Sequence, residues 1–356
     1  MPVSARTDYP VRADSAWAIP GMILPQAMRL GFLSHLTGGA EPRQLYQDTL
    51  DLVVAAEELG YDVFWVAQHH LVPETGRLPS PFPFLAVAAE RTRRIRLGTA
   101  VVALSFEHPL RVAEDAAVVD HLSGGRLELG LGSASEPDAF VAFGMDQVSA
   151  RGDASAKMAL IQRALLGEQL SDRGTILQPP ASGLVDRLWR GASSVEGARF
   201  AGEHGLGLLV PRLAFGTTEP TDQAQLPMLT AYQSALGGAE PRVGVSRTVY
   251  PADDRATARE HLRAGVLRQA QALMRTGRLQ SGLAEDEQFA RMNLFFGHPE
   301  EVAAQLSRDQ VVAQAGDLLV QVDPGRLSHQ QTLRVLERIA RDVAPALGWR
   351  ALARRY

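Results

Sequence analysis

The sequence predicts an α/β chain folded as a (β/α)8 TIM barrel, on two observations. Short leucine-rich and β-branched runs alternate with helical stretches along the whole chain, and the runs number eight. Parallel strands need a crossover helix between each pair, which the alternation supplies. Eight such units could also build a large doubly wound sheet, and the count favours the closed barrel.

The first run is Met28–Ser34, followed by Leu45, Leu52, Val53, Ala56 and Leu59 at helical spacing, with Gly60 closing the helix. The second run, Asp62–Ala67, leads into a proline-rich loop, Pro73–Pro83, and a short helix, Phe84–Thr92. The third, Arg96–Leu104, precedes a helix over His108–Leu122 with Pro109 in its first turn, where a missing N–H costs nothing. A Ser123-Gly124-Gly125 turn opens the fourth run, Arg126–Gly132, and a long helix is predicted over Ala150–Leu166. A polar insertion (Gly174–Gly183) leads to the fifth run, Arg187–Ser193, a helix to Glu203, and the sixth run, Leu206–Pro211. Arg212–Pro227 reads as irregular and Met228–Leu236 as a short helix. The seventh run is Arg242–Tyr250; helical blocks near Arg255–Thr276 and Pro299–Gln314 separate it from the eighth, Asp317–Val322, and a last helix spans Ser328–Ala344.

This organisation is one barrel domain over 28–348 with insertions near 168–186, 212–240 and 253–314. Residues 1–27, with Pro2, Pro10, Pro20 and Gly21 and no helical period, are expected to form an irregular arm, and 349–356 a C-terminal tail.

Composition removes several function classes. Of 356 residues, 46% are apolar and 21% charged, which is ordinary for a globular domain able to bury its own core. There is no cysteine, so disulfides, thiolate metal sites and cysteine nucleophiles are excluded, and a reducing compartment, the cytoplasm, is expected. The net charge is -4 with scattered arginines and no basic stripe, which argues against nucleic acid. No apolar run reaches the roughly 18 residues of a membrane span, and no apolar leader segment opens the chain. The sequence has no G-x-G-x-x-G, P-loop, H-E-x-x-H or G-x-S-x-G motif.

Barrel chemistry sits at the carboxyl ends of the strands. After the second run comes Gln68-His69-His70, where two adjacent histidines face opposite sides. One of them could point into the barrel mouth for proton transfer, or both could be satisfied by backbone carbonyls. No nearby carboxylate completes a metal set, so no metal is expected. Small residues of the third run, such as Ala100, would let a flat ring approach the backbone, or would serve barrel packing. Gly132-Ser133-Ala134-Ser135 after the fourth offers close approach and hydroxyls, or an ordinary turn. After the fifth, Ser193-Ser194-Val195-Glu196-Gly197 fits a capping box with Ser193 as cap. The same free N–H groups suit a phosphate, which Gly197 would let come near.

Four stretches taken together, Leu59–His70, Arg94–Val102, His108–Gly132 and Ser193–Leu206, resemble the bacterial luciferase-like, flavin-dependent monooxygenases. The order and spacing hold over about Met28–Gly348. The resemblance implies that His69 faces the flavin pocket and serves as catalytic acid or base. It implies that Ala100 and Val101 are joined by a cis peptide beneath the flavin ring, and that Ser193, Ser194, Val195 and Gly197 form the phosphate-binding helix start. It further implies bound FMN, reduced by a separate flavin reductase, O₂ as co-substrate, a small organic substrate and a homodimer; the helices near Phe84–Thr92 and His108–Leu122, whose Ala-rich and Val-rich faces are apolar on more than one side, are the expected interface. The chain departs from luciferase in two places: Ser133 stands where luciferase has a phosphate-binding arginine, and Gln68 where it has a glutamate. A deazaflavin-dependent hydride-transferring oxidoreductase of the same fold and a non-catalytic flavin-binding protein are the alternative readings.

Overall fold

The computed structural model describes residues 28–38, 40–71, 76–322 and 327–351; the expected arm at 1–27 lies outside them. In chain order the elements are β1 (Arg29–Ser34), α1 (Pro42–Leu59), β2 (Val63–Val66), α2 (Pro81–Arg91), β3 (Arg96–Thr99), β4 (Val102–Ala103), α3 (Pro109–Leu122) and β5 (Leu127–Gly132). There follow α4 (Pro137–Ala142), α5 (Gln147–Gly152), α6 (Ala154–Leu165), β6 (Leu188–Gly191), α7 (Val195–Glu203), β7 (Gly207–Val210), α8 (Thr221–Ala235) and β8 (Val243–Pro251). The last are α9 (Arg255–Arg275), α10 (Glu285–Arg291), β9 (Leu294–Gly297), α11 (Pro299–Leu306), β10 (Asp317–Gln321) and α12 (His329–Arg338).

The parallel strands run β10-β1-β2-β3-β5-β6-β7-β8, and β10 pairs with β8 as well as with β1, so the sheet closes on itself as a (β/α)8 barrel. Leu318 and Leu319, for example, face Leu30 and Gly31 on one side and Val245 and Ser246 on the other. The strands are short and buried on both faces, as expected where helices cover the outside.

Every second residue points inward. Leu33, Val63, Trp65, Ala67, Trp189, Leu209 and Leu319 form one interior cluster, separate from the larger layer between strands and helices. Trp65 and Trp189 meet edge to face, with ring centroids 5.9 Å apart, and fill the middle of the barrel. They fit because their neighbours are glycines: a Cβ on Gly98 would lie 2.3 Å from Trp65, and one on Gly207 2.3 Å from Trp189. Below the tryptophans, buried Glu128 accepts hydrogen bonds from Arg29 Nη1 (3.0 Å), Arg96 Nε and Trp189 Nε1 (2.7 Å), while Arg29 also pairs with Asp317 at 2.7 Å. The amino-terminal end is thereby plugged by mutually neutralising charges.

Several elements differ from the sequence expectation. The third run breaks into β3 and β4 around a cis Ala100–Val101 peptide bond, and Leu104–Phe106 turns as a 3₁₀ helix. The helix after the Pro73–Pro83 loop, part of which lies outside the described residues, starts earlier, at Pro81, because proline is tolerated in a first turn. The long helix expected over Ala150–Leu166 is two, divided at Asp153. Part of the stretch expected to be irregular, from Thr221, is the start of α8. Buried Gln225 holds it there, donating to the Pro211 carbonyl (2.7 Å) and accepting from Arg247 (3.0 Å). A strand not foreseen in the sequence, β9, pairs with the overhanging end of the nine-residue β8. The expected tail begins as a packed segment: Trp349 is buried and donates to Asp62 at 2.8 Å.

Candidate active site

The strand-end histidine pair splits as alternation requires. His70 turns outward into an aromatic nest, edge-on to Phe106 and Phe143 at 5.0 and 5.4 Å, and burial lowers its pKa. His69 turns inward. Its Nδ1 lies 2.9 Å from Glu136 Oε1, and its Nε2 lies 2.9 Å from Nδ1 of His35, the residue that ends the inward row of β1. The His69 backbone N–H bonds to the Leu78 carbonyl at 3.1 Å, which fixes the strand end in place.

Two physical features mark this group. Burial first, then the nearness of His69 and Arg212, push His35 down to about 3, so His35 is a neutral imidazole near neutral pH. Burial works against the Glu136 carboxylate, but hydrogen bonding and charge from His69, with two backbone N–H groups, outweigh it and hold the carboxyl below its usual value. The backbone around the group is also unusual. Leu36 and Leu71, one and two residues past the two histidines, adopt left-handed φ of 49° and 61°, which costs a leucine about 1–2 kcal/mol and tends to cluster at functional sites.

Gln68 braces the neighbouring strand. Its Oε1 accepts from the Ala103 N–H (2.8 Å), and its Nε2 donates to the Pro79 carbonyl (2.9 Å) and to Glu107 (2.6 Å). A glutamate here would set two carboxylates against each other, so the amide follows from the presence of Glu107.

Ala100 and Val101 pack on the interior cluster and stay half-buried, forming a floor above the tryptophans. Inward positions beside that floor carry no side chains: a Cβ on Gly132 would lie 2.7 Å from Val101 Cγ2, and one on Gly191 2.6 Å from Val101 Cγ1. Ser133 follows Gly132 and is half-buried. The helix after β6 is capped one residue later than the expected capping box. Ser194, not Ser193, is the N-cap, and its hydroxyl accepts from the Gly197 N–H at 3.2 Å. Gly197 occupies the third helical position, so no side chain there can reciprocate. Exposed Ser193 and half-buried Val195 flank this helix start.

His35 and Glu136 escaped the sequence reading, which found no carboxylate near His69. Glu136 is 67 residues away along the chain, on the loop after β5, and nothing in local spacing links the two. His35 carried a signal, since it follows β1 directly and shares the parity of inward Leu33. The later insertions also reach this end of the barrel. Arg278 donates to the Ser135 carbonyl beside Glu136, and Asn293 Nδ2 donates to the Arg212 carbonyl at 2.8 Å.

A family model described as luciferase-like monooxygenase matches residues 28–316. The chain is 33% identical over 243 residues to 4-hydroxyprotoasukamycin monooxygenase of Streptomyces nodosus subsp. asukaensis, covering 65% of this chain and 63% of that one. It spans less than two thirds of the first curated relatives it matches. Among solved structures, monooxygenase RslO1 from Streptomyces bottropensis superposes with a TM-score of 0.75 at 26% identity, over 90% of this chain and 100% of its own. The FMN complex of the oxygenating constituent of 3,6-diketocamphane monooxygenase from Pseudomonas putida gives 0.73 at 19%, over 90% and 99%. The coenzyme F420 dependent tetrahydromethanopterin reductase from Methanopyrus kandleri gives 0.65 at 17%, over 90% and 99%; at such identities the likeness is one of fold.

Proposed function

This chain belongs to the luciferase-like monooxygenase family, and from that premise we propose that it is the FMN-dependent oxygenase of a two-component system, taking reduced flavin from a separate reductase and using O₂ to oxygenate a small organic substrate. The observation that carries the proposal is the inward His69, held between Glu136 and His35 beside a floor whose flanking positions have no room for side chains.

The residues present fit a flavin. Gly132 and Gly191 leave the Ala100–Val101 floor uncovered, which is what a flat ring needs. The α7 start, with the Ser194 hydroxyl, Ser193, Val195 and the small Gly197, offers N–H groups and the positive end of a helix dipole to a phosphate. Ser133 adds a hydroxyl where luciferase has an arginine, so the helix start carries more of the anion binding. When bound, reduced FMN would supply the electrons that activate O₂. His69 holds or moves a proton at the mouth, Glu136 orients its ring, and the insertion anchored through Arg278 helps to keep water out.

Cofactor choice is testable directly. Purified protein mixed with oxidised FMN should perturb the flavin absorbance, and addition of reduced FMN should cause oxygen uptake. Binding of a deazaflavin with no oxygen uptake would replace this reading with hydride transfer. FMN binding with no turnover at all would make the protein a flavin store. No helix among the described residues is long and apolar enough to cross a membrane. A homodimer through α2 and α3 is part of the proposal: Val87, Val118 and Leu122 on those helices are 48%, 46% and 51% exposed and offer apolar surface to a second copy. Light scattering should give twice the chain mass.

A further inference from the structure

We propose that His35 is a positioning residue for His69, the two forming with Glu136 a single clamp that grips the His69 ring at both nitrogens. This rests on His69 being the acid–base group of the proposed function. Each part of the clamp comes from a different strand end: His35 from β1, His69 from β2 and Glu136 from the loop after β5. The family resemblance directs attention to His69 alone, and neither partner lies near it in the chain.

The proton assignment follows from the partners. An ionised Glu136 only accepts, so His69 Nδ1 carries a hydrogen. The other His69 nitrogen then meets His35 Nδ1 at 2.9 Å, and one hydrogen lies between them. Gln321 lies beside the His35 ring, and its Nε2 donates to Ser246 Oγ at 2.7 Å. Gln321 and Ser246 are both buried, so this end of the row is anchored in the barrel wall. Gly76 closes the clamp from the loop side: a Cβ there would lie 2.4 Å from the His35 carbonyl oxygen and 2.7 Å from His69 Cδ2, so only glycine lets the loop lie on both residues.

The consequence is a His69 with no nitrogen left over for solvent. An imidazole held at one nitrogen can still rotate about its bond to the main chain and lose its aim. Held at both, it keeps one orientation and gives up a hydrogen bond to His35 only when a reactant offers a better one. His35 therefore acts through His69 and not on the reactants. Its depressed pKa suits this role, because a neutral partner does not repel a proton arriving on His69.

The first test needs no substrate. In ligand-free protein labelled with ¹⁵N-histidine, the clamp predicts a through-hydrogen-bond N–N coupling between His35 and His69 and a proton on His69 Nδ1. Absence of the coupling overturns the proposal. The second test compares His35→Asn, whose amide nitrogen sits near the former Nδ1, with His35→Leu, which offers His69 nothing. Reduced FMN is the probe, and its oxidation by O₂ is followed by stopped-flow absorbance. His35→Leu should slow it by about tenfold to a hundredfold, His35→Asn should restore it to within about threefold of the parent, and both should bind oxidised FMN as the parent does. A His35→Leu variant as fast as the parent, or a His35→Asn variant as slow as His35→Leu, refutes the clamp. If His69→Ala itself leaves the oxidation rate unchanged, the acid–base reading of His69 falls, and the N–N coupling still decides whether the clamp exists.

Discussion

The two ends of this barrel are built from the same kinds of residue to opposite purposes. At the amino-terminal end, buried Glu128 is saturated by Arg29, Arg96 and the Trp189 indole, and Arg29 reaches on to Asp317. Each charge there has a counter-charge, and the group is a plug. At the carboxyl end, Glu136, His69 and His35 stand in a row, joined by hydrogen bonds that can exchange a proton, beside a floor kept bare by Gly132 and Gly191. Buried polar groups thus neutralise each other at one end and line up beside an open floor at the other, and the proposed function places the chemistry at the second.

The difference can be broken most forcefully from below. Glu128→Leu removes the acceptor of Arg96 Nε and of the Trp189 indole and leaves Arg29 with Asp317 alone, and it should cost about 3–5 kcal/mol, measured by urea unfolding, while FMN affinity in the surviving folded protein stays unchanged. A loss below about 1 kcal/mol would mean that the charges do not act as a plug. From above, His69→Ala should slow reduced-FMN oxidation by about a hundredfold or more, with unfolding free energy altered far less than by Glu128→Leu. Equal damage to stability at both ends would erase the distinction.

The floor gives a smaller effect. Gly132→Ala or Gly191→Ala places a methyl 2.7 or 2.6 Å from a Val101 methyl, so one of them must move into the space above. FMN affinity, read by fluorescence quenching, should fall about tenfold, roughly 1.4 kcal/mol. Unchanged affinity in both variants would show that the flavin lies elsewhere.

The finest contrast is in pH. Burial raises the Asp317 pKa from 3.8 to about 6, so the folded chain binds its proton more readily than the unfolded chain does. That contribution is present below pH 3.8 and is lost as pH rises through 6. His35 runs the other way: its pKa falls from 6.5 to about 3, so the stability it contributes is present above pH 6.5 and is lost as pH falls towards 3. Between pH 4 and 6 the two slopes oppose each other. Asp317→Asn should make stability rise more steeply with pH, and His35→Asn less steeply, each by at most about 1.4 kcal/mol per pH unit. Changes of the same sign in the two variants would contradict the assignment.

Much of the fold could be read in advance. All eight barrel strands fall on the expected runs, β8 passing the end of its run by one residue, because alternating parallel strands and crossover helices leave a strong local pattern. The overlooked elements are those whose cause is distant: the early start of α8 depends on Gln225 meeting Pro211 and Arg247, and β9 exists because β8 overhangs the barrel. The site divides in the same way. Residues at strand ends, such as His69 and Ala100, stand out because parity and position mark them, whereas the helix cap moved by one residue, from Ser193 to Ser194, a distinction too fine for a serine pair to signal.

The sequence by itself determined the eight strand runs, which follow from local periodicity, and the family, which follows from continuous stretches of residues; it favoured the barrel over an open sheet, and it singled out His69 only through the family resemblance. Only the tertiary structure decided what that histidine touches. Glu136 and His35 reach it from 67 and 34 residues away, and it takes the closure of eight strands around Trp65 and Trp189 to bring such distant strand ends within hydrogen-bonding distance of one ring.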